Sequence, residues 1–327
     1  MIVMNDYNLP KRIYENVLRE VSRIVIGKNE IIKMLTIAIF SEGHVLLEGV
    51  PGVAKTLLAK AFAKSMGLRF KRIQFTPDML PSDIIGTFVF NQKLQDFVFR
   101  EGPIFANVIL ADEINRTTPK TQSALLEVMQ EKQVTVEGFT KKVNDPFIVI
   151  ATQNPVEHEG TYPLPEAQLD RFMFRLIMDY PTHNEEVKIL KLASSNVDFN
   201  SISTVISKDD VLNAQSVVKR NIYVDSDIMH YITSIVENTR NHKQVILGGS
   251  PRASIHLLNA SKALAAIYGR DYVIPDDVKE LAFHVLNHRI LLKPELLIEA
   301  KSFNDPFHYN ELRSIILDSL SNTEPPR

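Results

Sequence analysis

Residues 49–56 read Gly49-Val50-Pro51-Gly52-Val53-Ala54-Lys55-Thr56. They follow the apolar run Val45-Leu46-Leu47, which predicts a short buried strand, and they precede residues 57–64, which have helical periodicity and no breaker. A strand, a glycine-rich loop and a helix in this order are the setting that a phosphate-binding P-loop requires. The alternative is a glycine turn before an ordinary helix with a surface lysine, and the flanking strand and helix favour the phosphate site over it.

The residue types in this loop suit a bound nucleotide. Gly49 and Gly52 let the backbone turn several amide N–H groups onto one anion, helped by the helix N-terminus. Lys55 is expected to reach the β- and γ-phosphates, and the hydroxyl of Thr56 is expected to ligate Mg²⁺. Ala54 stands where the last glycine of such loops usually lies. Because that position is expected at the start of the helix with an ordinary negative φ, alanine should fit there.

Composition limits the classes of protein to consider. A chain of 327 residues can form two domains, and its 45% apolar and 23% charged residues are typical of a soluble globular protein. The net charge of -2 gives no global basic field for nucleic acid or an anionic membrane. The absence of cysteine excludes disulfides, thiolate zinc sites and cysteine nucleophiles. It also suits a reducing compartment, so we expect a cytoplasmic protein. Residues 1–12 are not expected to form a signal peptide, and no apolar run approaches the ~20 residues of a membrane span.

The pattern of predicted secondary structure changes near Tyr180. Before it, short continuous apolar runs alternate with helical patterns, which predicts a parallel α/β sheet sandwiched by helices. The candidate strands are Val45–Leu47, Phe70–Phe75, Val108–Ala111, Phe147–Thr152 and Phe172–Met178. From Pro181 the pattern is nearly all helical, with capping boxes at Thr182/Glu185 and Ser207/Asp210 and an N-cap at Ser250 before Pro251. We therefore expect a nucleotide-binding α/β domain at residues 1–180 and a smaller all-helical domain at residues 181–327.

Two segments of the first half are predicted to be β-hairpins. Phe88-Val89-Phe90 and Phe97-Val98-Phe99 alternate with period two around a tip at residues 91–96. Residues 134–136 and 140–143 flank Glu137-Gly138 in the same way. Either hairpin can simply pack its aromatic face onto the domain, and the sequence does not say what the tips contact.

Two adjacent acids follow the predicted strand Val108–Ala111. In a P-loop enzyme the first acid, here Asp112, assists Mg²⁺, and the second, Glu113, can activate the attacking water. An acidic pair after a strand is by itself more often a solvated turn, but the P-loop upstream favours the catalytic interpretation. Asn154 lies just after the predicted strand Phe147–Thr152, at the carboxyl edge where ligands bind in such sheets. A turn-forming Asn before Pro155 is an equally good explanation.

Three arginines and three histidines are further candidates for the site. Arg171 follows a short helical pattern and can offset a helix dipole. Arg252 lies in the first turn of a predicted helix, where the helix dipole disfavours a cation. Either a nearby phosphate or a fully solvated guanidinium would explain an arginine at this position. Arg116 receives no assignment. His158 lacks the i, i+4 spacing of a helical zinc site. His284 and His288 lie four apart on a predicted helix but have no third ligand, so a metal site other than Mg²⁺ is not expected. No Gly-x-Ser-x-Gly elbow supports a serine hydrolase.

Together the motifs resemble the AAA+ ATPases, and specifically the MoxR family, within the helix-2-insert clade that includes magnesium chelatase motor subunits. The segments that carry the resemblance are Glu48–Thr56, Ala111–Arg116, Ala151–Pro155, Leu164–Phe172 and Ser250–Arg252. The resemblance spans almost the whole chain, and the alanine before the P-loop lysine belongs to it.

The resemblance implies further roles. Asn154 would be the sensor-1 residue, Arg171 the arginine finger offered to a neighbouring subunit, and Arg252 the sensor-2 arginine. Val25-Ile26-Gly27 would line the adenine pocket. The two hairpins would be the helix-2 insert and the pre-sensor-1 insert, facing a central pore, and the helical domain would be the lid.

The leading hypothesis is a Mg²⁺-dependent ATPase. The resemblance implies that it is chaperone-like and remodels, matures or activates protein partners, often ones with von Willebrand factor A domains. It also implies a nucleotide-dependent ring, expected to be a hexamer. One alternative is a helicase-type nucleic-acid motor, which only kinship supports because no basic field is present. A chelatase motor subunit is another. A non-catalytic nucleotide switch would need neither Glu113 nor Arg171.

Overall fold

The computed structural model describes residues 7–154, 160–195, 201–299 and 308–326. The strands are β1 Val45–Gly49, β2 Phe70–Gln74, β3 Gly86–Asn91, β4 Asp96–Glu101, β5 Val108–Asp112, β6 Gln133–Val136, β7 Phe139–Lys142, β8 Ile148–Gln153, β9 Phe174–Met178, β10 Val245–Leu247 and β11 Leu291–Leu292. The α-helices are α1 Leu9–Val21, α2 Asn29–Phe40, α3 Lys55–Ser65, α4 Pro81–Ile85, α5 Pro119–Glu131, α6 Glu166–Leu169, α7 His183–Ala193, α8 Lys208–Asn221, α9 Ser226–Asn241, α10 Pro251–Ile267, α11 Pro275–Leu286, α12 Pro294–Glu299 and α13 Tyr309–Ser321.

A five-stranded parallel sheet in the order β2-β5-β8-β1-β9 forms the centre of the molecule. Every residue of β1 and β5 is buried. Along β1 the side chains alternate between two cores, since Val45 and Leu47 join one apolar cluster and Leu46 joins the other. Helices therefore cover both faces of the sheet, and the predicted α/β sandwich with its five strands is confirmed.

Both predicted hairpins are present. β3 pairs with β4 and β6 pairs with β7, each pair antiparallel. The rings of Phe88, Phe99 and Phe139 contact one another with centroids 5.4 to 5.9 Å apart, so the bases of the two hairpins pack together. Toward the tip of the first hairpin, Phe90 and Phe97 remain 55% and 63% exposed.

The chain after β9 is mainly helical, as predicted. The side chains of Thr182, Ser207 and Ser250 cap α7, α8 and α10 by accepting hydrogen bonds from backbone N–H groups of the first turn. One feature was not predicted, a short antiparallel pair of β10 and β11. No helix in the described ranges is both long enough and apolar enough to cross a membrane.

The N-terminal helices contact the C-terminal ones. α1 and α2 pack against α8 and α10, and one apolar core runs from these helices to the sheet. The first two helices thus belong to the same packed unit as both the sheet and the helical region. The domain boundary at residue 180 stays a prediction.

Candidate active site

The P-loop connects the end of β1 to the start of α3, and its two glycines meet different needs. A Cβ on Gly49 would collide with the backbone carbonyl oxygen of Met178 on β9, so close strand packing requires glycine there. Gly52 has φ +84°, a left-handed conformation, and nothing lies within 4 Å of the position where its Cβ would be. The backbone at Gly52 is therefore open on the side where a side chain would otherwise project.

Ala54 differs from the sequence prediction. It has φ +66° and ψ 27°, so the negative φ expected for this residue is wrong. The reason is its position: Ala54 is the N-cap residue, one place before the first helical residue, Lys55, and the chain enters α3 through a left-handed turn. A left-handed conformation costs a non-glycine residue about 1–2 kcal/mol.

Lys55 lies across the ends of two strands. Its ammonium group donates to the carbonyl oxygen of Gly49 on β1 and, at 3.4 Å, to that of Gln153 on β8. Burial lowers the pKa of Lys55, and the carboxylates of Asp112 and Glu113 oppose that effect. The ammonium is thus held at the carboxyl edge of the sheet, where it can contact a phosphate bound by the P-loop.

A cavity of about 430 Å³ opens at this edge. It is lined by the P-loop and the start of α3, residues 51–57, together with Arg72, Asp112, Glu113, Thr152 and Asn154. The structure therefore brings together in one cavity the loop, both acids and the asparagine that the sequence singled out. Asn154 is 7% exposed.

The two acids have separate hydrogen-bond partners. Asp112 Oδ1 accepts from the hydroxyl of Thr152 at 2.6 Å, and Asp112 Oδ2 accepts from Nε and Nη2 of Arg72 at 2.9 and 2.7 Å. Glu113 Oε2 accepts from the side-chain amide of Gln74 at 2.9 Å and lies 3.2 Å from Nε of Arg116. Arg116, which the sequence left unassigned, is thus an ion-pair partner of Glu113.

Sequence reasoning missed Arg72 and Gln74. Both lie on β2, two residues apart and therefore on one face, and β2 pairs with β5 so that Gln74 is opposite Asp112. The alternation within the predicted strand Phe70–Phe75 was visible in the sequence. The neighbour of that strand was not, because strand order is a long-range property.

The donor atoms in the cavity fit Mg²⁺. Thr56 offers a hydroxyl oxygen and Asp112 a carboxylate, and such hard oxygen ligands, completed by water and substrate phosphates, are the usual set for this ion. Among the described residues, no three or more His, Cys, Asp or Glu side chains group as a metal site. His158 lies outside the described residues.

The prediction that His284 and His288 share a helix is wrong, because α11 ends at Leu286. His288 is buried in the bend after the helix, with Nε2 3.0 Å from the carbonyl oxygen of Phe172. Burial lowers the pKa of both histidines, which keeps them neutral and structural.

The other predicted site residues lie outside the lining of this cavity. Nη1 of Arg171 donates to the carbonyl oxygen of Leu126 on α5 at 3.0 Å, and Arg171 borders a second cavity of about 240 Å³ between α5 and α6. Nη1 of Arg252 lies 3.3 Å from Asp170 Oδ2. Val25 is buried, and Gly27, at φ +74°, lies against the carboxylate of Glu185 at the start of α7. The roles given to these residues stay predictions.

Asp170 joins the segment that carries Arg171 to the helical region. Its carboxylate accepts from the hydroxyl of Ser250 at 2.9 Å and from Nε of Arg289 at 2.8 Å, in addition to Arg252. Arg289 is 6% exposed, and burial lowers its pKa to about 10 although the charge of Asp170 opposes this. The start of α10 and the segment after α11 thus meet on one carboxylate.

Comparison with known proteins agrees with this geometry. Residues 44–174 match the family described as "ATPase family associated with various cellular activities (AAA)", and residues 237–306 match the AAA lid domain. Chaperone MoxR1 of Mycobacterium tuberculosis is 45% identical over 294 residues, which cover 87% of this chain and 77% of that protein. The chain belongs to the MoxR family of AAA+ ATPases.

Two further proteins are similar to most of the chain. YeaC, an uncharacterized protein of Bacillus subtilis, is 52% identical over 282 residues, covering 86% of this chain and 88% of YeaC. A solved structure from Cytophaga hutchinsonii, provisionally described as an ATPase, superposes with a TM-score of 0.88 at 42% identity and covers 98% of this chain and 97% of that one. The resemblance stated from the motifs is confirmed, and the protein is an ATP-hydrolysing enzyme.

Proposed function

We propose that this MoxR-family ATPase uses ATP hydrolysis to remodel, mature or activate protein partners. The observation that carries the proposal is the cavity of about 430 Å³ in which the P-loop, Lys55, Asp112 and Glu113 meet. The relative from Mycobacterium tuberculosis is named a chaperone, which supports an activity on protein partners. The net charge of -2 gives no support to a nucleic-acid substrate.

The residues of the cavity have distinct roles in this proposal. Lys55 and the amides of the P-loop would hold the phosphates of ATP. Thr56 and Asp112 would hold Mg²⁺, which would supply positive charge to the phosphates. Glu113, kept in place by Gln74 and Arg116, accepts the proton of the attacking water. Asn154, at the end of β8, orients that water or the γ-phosphate.

Arg171 and Arg252 are proposed to act only in an assembly or after a rearrangement. Arg171 borders a different cavity from the P-loop, so we infer that it completes the site of a neighbouring copy. Arg252 is proposed as the sensor-2 arginine, and Val25-Ile26-Gly27 as the adenine contact. A hexameric ring that forms with ATP would bring Arg171 of one copy to the site of the next. The lack of cysteine suits a cytoplasmic location.

The partners are proposed to be proteins with von Willebrand factor A domains. The test uses Glu113→Gln as bait, because this variant should bind ATP without hydrolysing it, and Lys55→Ala as the matched control that should not bind ATP. A partner captured only by Glu113→Gln is purified and mixed with wild-type enzyme and ATP. Limited proteolysis then reports changes in the structure of the partner.

An ATP-dependent change in the partner's cleavage pattern, absent with Glu113→Gln, is the expected result. If purified partner is unchanged by wild-type enzyme and ATP, the remodelling proposal is wrong. If the captured partner has no von Willebrand factor A domain, only the proposed partner class is wrong.

A further inference from the structure

β2 presents two polar side chains to the two acids of the site. Arg72 donates two hydrogen bonds to Asp112, and Gln74 donates one to Glu113. Arg72 also donates through Nη2 to the side-chain oxygen of Gln74. The guanidinium, the amide and both carboxylates thus form one connected group at the edge of the cavity.

Both hydrogen bonds of Arg72 to Asp112 fall on the carboxylate oxygen that Thr152 does not occupy. Oδ1 of Asp112 is already bonded to the buried hydroxyl of Thr152, while Oδ2 receives both hydrogen bonds from Arg72. The side chain of Asp112 is only 13% exposed, whereas that of Arg72 is 46% exposed and can turn toward solvent. A cation approaching Asp112 from the cavity therefore meets an oxygen that is occupied by another cation.

We propose that Arg72 is a positioning residue that competes with Mg²⁺ for Asp112. Arg72 neutralises Asp112 while no metal is bound, which lets the phosphates approach, and it releases Asp112 when ATP arrives with its metal. Arg72 would thereby keep the metal out of the empty site and make its binding depend on the nucleotide. This inference rests on the proposed role of Asp112 as a metal-holding residue.

The test measures nucleotide binding rather than turnover. ATP affinity is determined by calorimetry with Mg²⁺ and, separately, with excess EDTA, for the wild type, Arg72→Ala, Arg72→Lys and Lys71→Ala. Lys71 is the matched control, since it is a cation on the same strand whose side chain points to the opposite face.

Arg72→Ala should weaken metal-free ATP binding by roughly tenfold, the scale of a hydrogen-bonded charge, because Asp112 then repels the phosphates. Its affinity for ATP with Mg²⁺ should change much less, so the ratio of the two affinities widens. Arg72→Lys, which keeps the charge, should lie between Arg72→Ala and the wild type, and Lys71→Ala should leave the ratio unchanged.

Binding of Mn²⁺ alone, followed by electron paramagnetic resonance, gives a second readout. Without nucleotide, Arg72→Ala should bind Mn²⁺ more tightly than the wild type by about tenfold, because no guanidinium has to be displaced. Unchanged Mn²⁺ affinity would overturn the competition. Thermal unfolding of each variant shows whether it is folded. If Arg72→Ala does not fold, the binding measurements with Arg72→Lys replace it.

A double-variant cycle with Asp112→Asn separates this inference from the proposed function. In the Asp112→Asn background, Arg72→Ala should no longer affect metal-free ATP binding, because the charge it neutralised is gone. If Arg72→Ala weakens ATP binding equally with and without metal, or in both backgrounds, Arg72 is a direct phosphate ligand and the inference is wrong. If Asp112→Asn itself leaves Mg²⁺-dependent ATP binding intact, the metal-holding role in the proposed function fails instead.

Discussion

Arg289 donates through Nε to Oδ1 of Asp170 at 2.8 Å, and Asp170 directly precedes Arg171 in the chain. The guanidinium also donates through Nη2 to the carbonyl oxygens of Asp170 and Phe172 at 3.0 and 2.6 Å. Since Arg289 is almost fully buried, its charge depends on Asp170 for compensation. The backbone on both sides of Arg171 is thereby tied to the segment that follows α11.

Removing the charge of Asp170 should destabilise the protein strongly. Asp170→Asn leaves the buried guanidinium of Arg289 without a counter-charge, and breaking a buried pair in this way costs on the order of 3 kcal/mol. Urea unfolding measures the free energy of unfolding. Asp271→Asn, at an exposed aspartate of the same helical region, is the control and should stay within about 0.5 kcal/mol of the wild type. Equal midpoints for the two variants would contradict the prediction.

Ala54→Gly should stabilise the fold. Glycine adopts the left-handed conformation of this N-cap without the cost of about 1–2 kcal/mol that alanine bears, although it adds backbone entropy to the unfolded chain. The net gain in the free energy of unfolding should be roughly 0.5–1 kcal/mol. By contrast, Ala59→Gly at a buried position inside α3 should lose at least about 1 kcal/mol, because the loss of a buried methyl group adds to the helix-propensity cost. A loss at residue 54 as well would show that the left-handed turn is not strained by alanine.

Stability should fall as the pH drops from 6.5 to 4, partly because of His44. This buried ring accepts from the backbone N–H of Val149 through Nδ1 and lies 3.0 Å from the carbonyl oxygen of Met129 through Nε2. Burial lowers the pKa of His44 from 6.5 to about 4, so below pH 6.5 the unfolded chain takes up a proton that the native ring refuses. Its contribution is complete above pH 7 and is lost progressively down to about pH 4.

Urea unfolding at pH 7.5 and pH 5 tests this titration. His44 should account for roughly 2 kcal/mol of the stability lost at pH 5, so His44→Gln should lose that much less than the wild type between the two pH values. His183→Gln, at an exposed histidine on α7, should lose as much as the wild type. A wild-type-like pH dependence in His44→Gln would refute the assignment.

The features that the sequence predicted correctly are local ones. The strands β1, β5 and β8 are continuous apolar runs, and the P-loop and the pair Asp112-Glu113 follow strands directly in the chain. Each of these signals lies within about ten residues, a range over which periodicity and turn chemistry decide the structure.

The features it missed depend on long-range contacts or on a single residue. The contact of Arg72 with Asp112 requires β2 to neighbour β5, and the Asp170–Arg289 pair joins residues 119 positions apart. The predicted conformation of Ala54 was wrong because Ala54 is the N-cap, one residue before the helix begins. The pair β10–β11 was missed because strands of two or three residues have no readable period.

Hydrolysis should depend on Glu113, whereas nucleotide binding should not. Glu113→Gln keeps the size of the side chain but removes the base, so ATPase activity should fall at least ~100-fold while ATP affinity is retained. Lys55→Ala should instead weaken ATP binding itself, since it deletes the cation held at the ends of β1 and β8. Calorimetry and phosphate release measure the two quantities. Near-normal turnover in Glu113→Gln would show that another group is the base.

Arg171 should be needed by a neighbouring subunit rather than by its own. Arg171→Ala should fold and bind ATP, because its side chain lies outside the P-loop cavity, yet its turnover should fall by about 10³-fold, the usual contribution of an arginine finger. Glu113→Gln subunits still carry Arg171, so rings mixed from the two inactive variants contain some sites in which both residues are intact. Phosphate release should therefore partly return on mixing. If mass measurement confirms mixed rings and no activity returns, Arg171 acts within its own chain or has no part in hydrolysis.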